Sequence, residues 1–269
     1  MLIRTWNVFH GNTVPPGRRA RLEEMVRLAT ADGPDVLCLQ EVPLWALEQL
    51  EGWSAMTMYG DMAAPPTIGP LPSTAAVGRI LTSIHHGVVR SAFAGQANAI
   101  LVRPGLRLLA RDLLVLNPRR FRRTQARWLG LPLSARLTWA GERRVCQAVR
   151  VVLPDGRTAL VANLHATAFR PDARLADAEL LRAAVFADAV AAPEDVCVVA
   201  GDFNVRASAS WTLRDLTGSN WGFAGGGPRI DHVLARGASI GRVRRWPDER
   251  RRLDGVLLSD HAPVEAIVE

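Results

Sequence analysis

The chain has 269 residues, and its hydrophobic fraction of 48% and charged fraction of 22% are typical of a globular protein with a substantial core. No apolar run reaches the roughly 18 residues of a membrane span, and the N-terminus shows no secretory signal, so we expect no membrane insertion and a cytoplasmic location. The formal net charge of +7 indicates affinity for anions, nucleic acids among them.

All 33 basic residues are arginines, and this bias limits what the net charge establishes. Together with abundant Ala, Gly and Pro, it is as typical of codon composition as of selection for a partner. Arginine still binds phosphate well through its planar fork. The charge therefore permits a nucleic-acid partner without requiring one.

In chain order, short apolar runs bounded by polar residues predict a succession of strands. The predicted strands cover residues 2–8, 35–42, 98–102, 112–116, 144–153, 158–164, 196–200, 229–234 and 264–268. Periodic apolar residues predict helices at 18–31 and 173–191, and a short helix at 210–216. Residues 53–96 are rich in Gly, Pro, Ser and Thr, which predicts loops with short helices.

The distribution of polar residues at strand ends bears on the domain organisation. The first two strands and the helix between them predict a crossover connection. Polar strand-end residues are spread from Asn7 to His261, with no internal repeat or linker between them. This distribution favours a single domain over residues 1–269.

The stretch that follows the strand 196–200 carries the most chemical information. Its uninterrupted apolar run is typical of a strand buried on both faces, and Gly201 is expected to end it. If Asp202 and Asn204 alternate as on a strand, both side chains point into one cleft, where they can orient a water and hold a phosphoryl oxygen. The alternative is an Asx turn that only closes the strand.

Six short blocks of this kind follow one another along the chain. They are Thr5-Trp6-Asn7-Val8, Leu39-Gln40-Glu41-Val42, Asn163-Leu164-His165, Gly201-Asp202-Phe203-Asn204, Arg229-Ile230-Asp231-His232-Val233-Leu234 and Ser259-Asp260-His261-Ala262-Pro263-Val264. Each block is weak alone, but the ordered set resembles the endonuclease/exonuclease/phosphatase superfamily of DNase I-like phosphoesterases. The resemblance implies an α+β fold, a four-layer α/β/β/α sandwich whose two mainly antiparallel sheets pack face to face with helices outside. It also implies divalent-metal-dependent cleavage of a P–O bond.

The resemblance assigns a metal site to Asn7, Glu41 and Asp260. Glu41 supplies a hard oxygen ligand suited to Mg²⁺ or Mn²⁺; Mg²⁺ keeps several waters and needs few protein ligands. Without the matching blocks, a lone Glu at a strand end is more often a solvated surface group. We therefore predict Mg²⁺ or Mn²⁺ as the cofactor.

Five further residues are predicted to carry the catalysis. Imidazole titrates near neutral pH, so His165 and His261 are each suited to act as an acid, a base or a phosphate ligand. The resemblance pairs His261 with Asp231, whose carboxylate would orient the ring. Asp202 would orient or deprotonate the attacking water, and Asn204 would bind a phosphoryl oxygen. The division of labour among Asp202, His165 and His261 stays open.

Asn98 and Asn163 complete the predicted site as substrate-binding residues. The segment around Asn98 resembles a family segment whose Asn lines the cleft, although a role as a turn residue is nearly as well supported. His232 is expected to be structural. Three further histidines fall in predicted loops without an assignable partner: His10, His85 and His86.

A dense basic run, Arg119-Arg120-Phe121-Arg122-Arg123, has two interpretations. Such runs are commonly solvated faces, but a run that borders the cleft would attract polyanions, with binding that weakens steeply as salt rises. The tryptophans allow the same two interpretations, either base stacking or burial in the core. Those considered are Trp128, Trp139, Trp211 and Trp221.

We therefore predict an Mg²⁺-dependent phosphodiesterase that acts as a nuclease on DNA or RNA; its oligomeric state stays open, with a monomer favoured. The alternative is a phosphatase or phosphodiesterase for a small-molecule or lipid head-group phosphate ester, because the compact chain lacks an added nucleic-acid-binding module. A third reading is a binding protein that keeps the fold and has lost catalysis. It ranks lowest, since the candidate metal and catalytic residues are all present.

Overall fold

A computed structural model describes residues 1–68, 71–84, 93–141 and 143–269. Contacts within these residues group the chain into two compact units. Unit 1 comprises Met1–Gly105 and Arg244–Glu265, and unit 2 comprises Leu106–Val243 and Ala266–Glu269. The single domain expected over residues 1–269 stays a prediction. His85 and His86, which the sequence placed in loops, lie outside the described residues.

Strands and helices alternate along the described residues. The strands are β1 (Leu2–Asn7), β2 (Thr13–Val14), β3 (Val36–Val42), β4 (Thr57–Ala64), β5 (Thr67–Ile68), β6 (Leu71–Pro72), β7 (Gln96–Val102), β8 (Arg107–Val115), β9 (Val145–Val152), β10 (Thr158–His165), β11 (Val196–Asp202), β12 (Ala224–Gly226), β13 (Asp231–Arg236), β14 (Arg244–Arg245), β15 (Arg252–Leu253), β16 (Val256–Leu258) and β17 (Val264–Ile267). The helices are α1 (Leu22–Thr30), α2 (Leu50–Ser54), α3 (Ala75–Ile84), α4 (Arg119–Trp128), α5 (Leu133–Gly141), α6 (Arg174–Val190) and α7 (Trp211–Leu216). Short 3-10 helices cover Phe9–Gly11, Leu44–Gln49 and Asp248–Arg251. None of these helices is both long enough and apolar enough to cross a bilayer.

Unit 1 is built on a sheet whose strand order, over the described residues, is β14-β17-β1-β3-β7-β4. β1 and β3 are parallel, whereas β3 with β7, β7 with β4, and β14 with β17 are antiparallel. Helix α1 connects the parallel pair and buries Leu22, Met25 and Val26 in a cluster with Trp6 and Leu39 of the sheet. The predicted crossover connection is therefore confirmed.

Unit 2 repeats this plan with the strand order β12-β13-β11-β10-β9-β8 in the described residues. β10 and β11 are parallel and are joined through α6, while the flanking pairs are antiparallel. Helix α6 buries Leu180 and Ala184 in a cluster with Cys197 and Val199 of β11. Two mixed, mainly antiparallel sheets with helices confirm the α+β class.

Strand β4 corrects the prediction that residues 53–96 are loops with short helices. Its sequence lacks regular alternation and contains Gly60 and Asp61, which are unfavourable in strands. It forms because it pairs with β7 over its whole length, from Thr57 opposite Val102 to Ala64 opposite Gln96. This long-range pairing overrides a weak local preference.

His232 lies in the core of unit 2, as the sequence predicted. The ring is fully buried, stacks on Phe203 at 4.9 Å between centroids, and its Nε2 lies 2.9 Å from the carbonyl oxygen of Val205. Burial lowers the pKa of His232 from its ordinary value because the charged ring loses its hydration. The folded state therefore binds this proton less readily than the unfolded chain does.

We expect the free energy of unfolding to fall as the pH drops below about 6.5, where His232 becomes protonated in the unfolded chain first. The contribution of neutral His232 to the free energy of unfolding is complete above that pH. It is lost at up to about 1.4 kcal/mol per pH unit as the pH falls towards the lowered pKa of His232 in the folded state. Urea unfolding of the wild type and His232→Phe at pH 7.5 and pH 5.0 measures it. The variant should be less stable at pH 7.5 but lose less between the two pH values, and equal losses would contradict the assignment.

Candidate active site

In unit 1, Asn7 and Glu41 meet at the carboxyl ends of the parallel strands β1 and β3. The register pairs Asn7 with Gln40, and Asn7 Nδ2 donates a hydrogen bond to Glu41 Oε1 at 3.1 Å. A register shift between Leu39 and Val42 interrupts the pairing with β7, and Glu41 has a left-handed φ of 55°. Bulges and strained backbone of this kind recur at functional sites, where they redirect a side chain.

His10 is a neighbour of Glu41 that the sequence did not identify. Its ring is buried, and Nε2 lies 3.2 Å from Glu41 Oε2. The 3-10 turn after β1 places it there, with φ of 48° at Phe9 and 55° at His10. The sequence signal for this contact was that His10 follows Asn7 by three residues. That spacing does not predict the left-handed backbone that brings the His10 ring to Glu41.

The segment that carries Asp260 and His261 is attached to the end of β1. Ser259 Oγ donates to the carbonyl oxygen of Asn7 at 2.7 Å and accepts from the His261 amide at 3.0 Å. Ser259 has a left-handed φ of 60°, and Asp260 after it is exposed. The three predicted metal ligands, Asn7, Glu41 and Asp260, are thus brought into one region of unit 1.

Arg251 is buried in unit 1 and binds the segment that carries Asp260 and His261. Its residue is 2% exposed, and Nη1 donates to the carbonyl oxygens of Leu258, Ser259 and His261 at 2.8, 2.7 and 3.0 Å. Ser259 and His261 lie in the irregular segment between β16 and β17, where no strand pairing supplies backbone donors to their carbonyl groups. The side chain therefore determines the path of the chain through the predicted metal and catalytic residues.

In unit 2, His165 and Asp202 lie opposite each other at the ends of the parallel strands β10 and β11. Both are buried, and His165 Nε2 lies 3.6 Å from Asp202 Oδ2. Strand β11 continues through Asp202, so the expectation that Gly201 ends it was wrong. The parallel register alone brings this imidazole and this carboxylate together.

Asn204 does not continue the strand alternation that the sequence suggested. It has a left-handed φ of 51°, its amide donates to Asp202 Oδ1 at 2.9 Å, and its Nδ2 donates to the carbonyl oxygen of Ala166 at 2.8 Å. The Asx turn considered as the alternative is therefore present. It occupies one oxygen of Asp202 and leaves the other facing His165.

Asp231 begins β13 directly opposite Asp202 in the antiparallel register. Both carboxylates are buried, and an oxygen of one lies within 4.8 Å of an oxygen of the other. Two buried carboxylates this close favour a cation between them. The predicted pairing of Asp231 with His261 joins residues of different units and stays a prediction.

Arg144, at the start of β9, is a second neighbour that the sequence missed. It is buried, and Nη1 lies 2.9 Å from His165 Nδ1. The same Nη1 lies 3.4 Å from His165 Nε2, so the guanidinium contacts both ring nitrogens, and Nε2 also faces Asp202. Only the register of β9 against β10, with Cys146 opposite Leu164, reveals that Arg144 reaches His165.

The buried carboxylate of Glu179, in α6, binds the chain just after His165, the last residue of β10. It accepts hydrogen bonds from the Thr167 amide at 2.6 Å, from Thr167 Oγ1 at 2.9 Å and from Trp139 Nε1 at 2.5 Å. Burial raises the pKa of Glu179, although these donors and the charge of Arg144 oppose the rise. The network ties helices α5 and α6 to the end of β10.

The two predicted substrate-binding amides lie in different units. Asn163 is fully buried on β10, and its spacing of two residues from His165 puts both on one face of the strand. Asn98 is fully buried on β7 of unit 1, opposite Asp61 of β4. It therefore lies within a strand and is not the turn residue that was considered.

Gly201 is required by the close approach of β10 to β11. Its φ is 142°, and a Cβ built there would lie 2.0 Å from the carbonyl oxygen of Leu164. The neighbouring atom is backbone and cannot move without breaking the parallel pairing that aligns His165 with Asp202.

We expect Gly201→Ala to lower the free energy of unfolding by about 3 kcal/mol, as strain and overpacking combine. The matched control is Gly156→Ala in the hairpin before β10, where φ is 85° and a Cβ would meet nothing within 4 Å. In Gly156→Ala the free energy of unfolding should fall only by the cost of a left-handed alanine backbone, about 1 kcal/mol. Urea unfolding measures both, and equal losses would show that the contact with Leu164 is not the cause.

Comparison with known protein families places this arrangement in context. The sequence model of the Endonuclease/Exonuclease/phosphatase family matches residues 5–261. This range spans all six blocks up to His261. No curated protein sequence is significantly similar to the chain.

Solved structures share the fold at low sequence identity. A functionally unknown conserved protein from Enterococcus faecalis V583 superposes with a TM-score of 0.69 at 16% identity, covering 100% of this chain and 99% of that one. An endonuclease/exonuclease/phosphatase from Beutenbergia cavernae DSM 12333 gives 0.67 at 16% identity, covering 100% and 71%. TDP2 of D. rerio, complexed with a single-strand DNA product, gives 0.63 at 13% identity, covering 100% and 98%.

Proposed function

Because the chain belongs to the endonuclease/exonuclease/phosphatase family, we propose that it is a divalent-metal-dependent phosphodiester hydrolase that acts as a nuclease. Family membership supports phosphoester hydrolysis of the metal-dependent type. The preference for DNA or RNA over other phosphate esters is the finer part of the proposal. It is supported by the net charge of +7 and by the DNA product bound to the TDP2 structure that shares the fold.

The observation that carries the proposal is the buried pair of His165 and Asp202. A charged carboxylate and an imidazole are costly to bury, and here both lie at the ends of adjacent parallel strands. The Asx turn with Asn204 and the hydrogen bond from Arg144 hold the two rigidly. Rigid placement of such groups favours proton transfer and oxyanion stabilisation over a purely structural role.

The oxygen-rich set in unit 1 fits a hard divalent cation. Asn7, Glu41 and Asp260 offer oxygen donors and no sulfur, which favours Mg²⁺ or Mn²⁺ over softer metals. Glu41 is re-aimed by a bulge and a left-handed backbone, and exposed Asp260 follows the Ser259 contact to Asn7. When bound, such an ion would neutralise charge on the phosphoryl oxygens.

The remaining roles follow from what each side chain can donate or accept. Asp202, with one oxygen outside the Asx turn, would orient the attacking water and take its proton. His165 would donate a hydrogen bond from its ring to a phosphoryl oxygen. His261 would protonate the leaving oxygen with Asp231 as its partner, and Asn204, Asn163 and Asn98 would bind substrate.

The proposal is tested by hydrolysis with Mg²⁺, with Mn²⁺ or with EDTA. The substrates are single- and double-stranded DNA, RNA, bis-p-nitrophenyl phosphate and p-nitrophenyl phosphate. The wild type should cut the polymers only with metal, and Glu41→Gln should need far more metal for the same rate. Glu48→Gln is the control, because this carboxylate lies in the 3-10 helix after β3, outside the predicted ligand set.

Two outcomes would redirect the assignment. Metal-dependent hydrolysis confined to p-nitrophenyl phosphate would move the chain to the phosphatase alternative. Tight ligand binding without turnover of any ester would support a binding protein that has lost catalysis.

A further inference from the structure

A strongly basic cleft lies in unit 2, outside the residues assigned to catalysis. It is enclosed by helices α4 and α5, has a volume of about 550 Å³, and Trp139 forms part of its wall. The arginines that line it are Arg119, Arg122, Arg123, Arg127 and Arg136. Within the part of the chain that the structure describes, none of them pairs with a carboxylate, whereas buried Arg4 pairs with Asp32 and Glu265. The cleft therefore has a net positive charge that the described part of the chain does not neutralise.

The opposite side of α4 is aromatic. Phe121 and Trp128 line an apolar groove of about 520 Å³ together with Leu181 and Val185 of α6 and Trp211 of α7. Trp128 is 81% exposed and Trp211 is 78% exposed. Exposed apolar groups are common singly, but two exposed indoles that border one groove mark a binding surface.

Helix α4 thus separates two surfaces of different chemistry. A single-stranded polynucleotide matches both, because it has a negative charge at every phosphate and unpaired bases whose flat faces stack on indole rings. A duplex matches less well, since its bases are already stacked and paired. Arg214 lies over the Trp211 ring at 4.3 Å, which places a further cation at the groove.

We propose that α4 and its two flanking surfaces bind a single-stranded polynucleotide, with phosphates in the arginine cleft and bases on Trp128 and Trp211. The proposal that this surface guides a substrate to the catalytic residues rests on the proposed function. It narrows the substrate class of that function to single-stranded polynucleotides. The cleft is attached to the candidate site within unit 2. Trp139 in its wall donates to Glu179, which accepts from Thr167, two residues after His165.

The experiment measures fluorescence anisotropy of a labelled oligothymidylate of about 20 nucleotides, long enough for several stacking contacts. EDTA is present, so that binding is observed without cleavage. The variants are Arg123→Ala/Arg127→Ala and Trp128→Ala. The control, Arg107→Ala/Arg157→Ala, removes the same charge at the end of the sheet where β9 finishes, since Arg107 and Thr158 both lie opposite Val152.

We expect the Arg123/Arg127 variant to weaken binding by about tenfold or more and to lower the salt slope by about 1.4, near 0.7 for each lost phosphate contact. Trp128→Ala should weaken binding by about fivefold or more with an unchanged slope, and Trp128→Phe should recover part of the affinity. The control should stay within about twofold of the wild type.

Three results would overturn the proposal. They are equal losses in the test and control pairs, equal affinity for duplex and single strand, and binding to anionic phospholipid vesicles without binding to the oligonucleotide. Far-UV circular dichroism excludes misfolding of the variants. The proposed function alone is contradicted if the wild type binds the oligonucleotide through these residues but hydrolyses no ester. The binding surface alone is contradicted if the wild type hydrolyses bis-p-nitrophenyl phosphate while the variants bind the oligonucleotide as well as the wild type does.

Discussion

Asp202→Asn is expected to lower kcat for phosphodiester hydrolysis by about 100-fold to 10,000-fold, the usual range for loss of a general base. The amide keeps the shape of the carboxylate, so the hydrogen bond from the Asn204 amide to Oδ1 survives. It cannot take a proton from water. The variant therefore separates the charge of Asp202 from its place in the turn.

The stability of the same variant distinguishes a catalytic from a structural role. Asp202 and Asp231 lie opposite each other in the register, so removal of one negative charge relieves repulsion. The free energy of unfolding should stay constant or rise. Asp188→Asn, at an exposed position of α6 where the carboxylate pairs with Arg236, is the control and should retain full activity. If the kcat of Asp202→Asn stayed within about threefold of the wild-type value, Asp202 would not be the general base of the reaction.

Arg251→Met is expected to lower the free energy of unfolding by about 3–5 kcal/mol. The methionine side chain fills much of the space but leaves the carbonyl groups of Leu258, Ser259 and His261 without their shared donor. It also removes the ion pair of Arg251 with Asp248 at 2.8 Å. Urea unfolding at neutral pH measures the loss. Because the segment also carries His261, turnover of the folded variant should fall, since small misplacements of reacting groups have large effects on rate.

Arg252→Met is the matched control for this prediction. Arg252 is the exposed neighbour, and its Nη1 donates to the carbonyl oxygen of Gly255 at 3.1 Å. Its loss should change stability by less than about 0.5 kcal/mol. If the two variants were equally stable, the three carbonyl contacts of Arg251 would contribute nothing measurable, and its role in positioning the segment would be rejected.

The strand ends show how far the sequence alone leads towards the site. Asn7, Glu41, His165 and Asp202 each follow an apolar run, and local pattern suffices to predict that such a run is a buried strand. The structure places Asn7 beside Glu41 and His165 beside Asp202, because each pair ends two adjacent parallel strands. What the pattern could not supply was the backbone conformation at these ends.

Asn204 illustrates that limit. Alternation along a strand predicts that it shares a face with Asp202, but its left-handed φ of 51° turns the chain instead. Glu41 is similar, since a bulge against β7 gives it a φ of 55°. Both conformations are maintained by hydrogen bonds and pairings that local sequence does not encode.

The resemblance of the ordered blocks to the family implied the α+β class. The sequence by itself determined the succession of buried strands and the identity of the polar residues that end the strands. These follow from hydrophobic periodicity and turn chemistry, which act between residues that are near in the chain. Only the tertiary structure decided that Arg144 contacts His165, that His10 contacts Glu41, and that Trp128 is exposed while Trp139 is buried. Strand register and solvent exposure depend on contacts between segments far apart in the sequence, and no local pattern contains them.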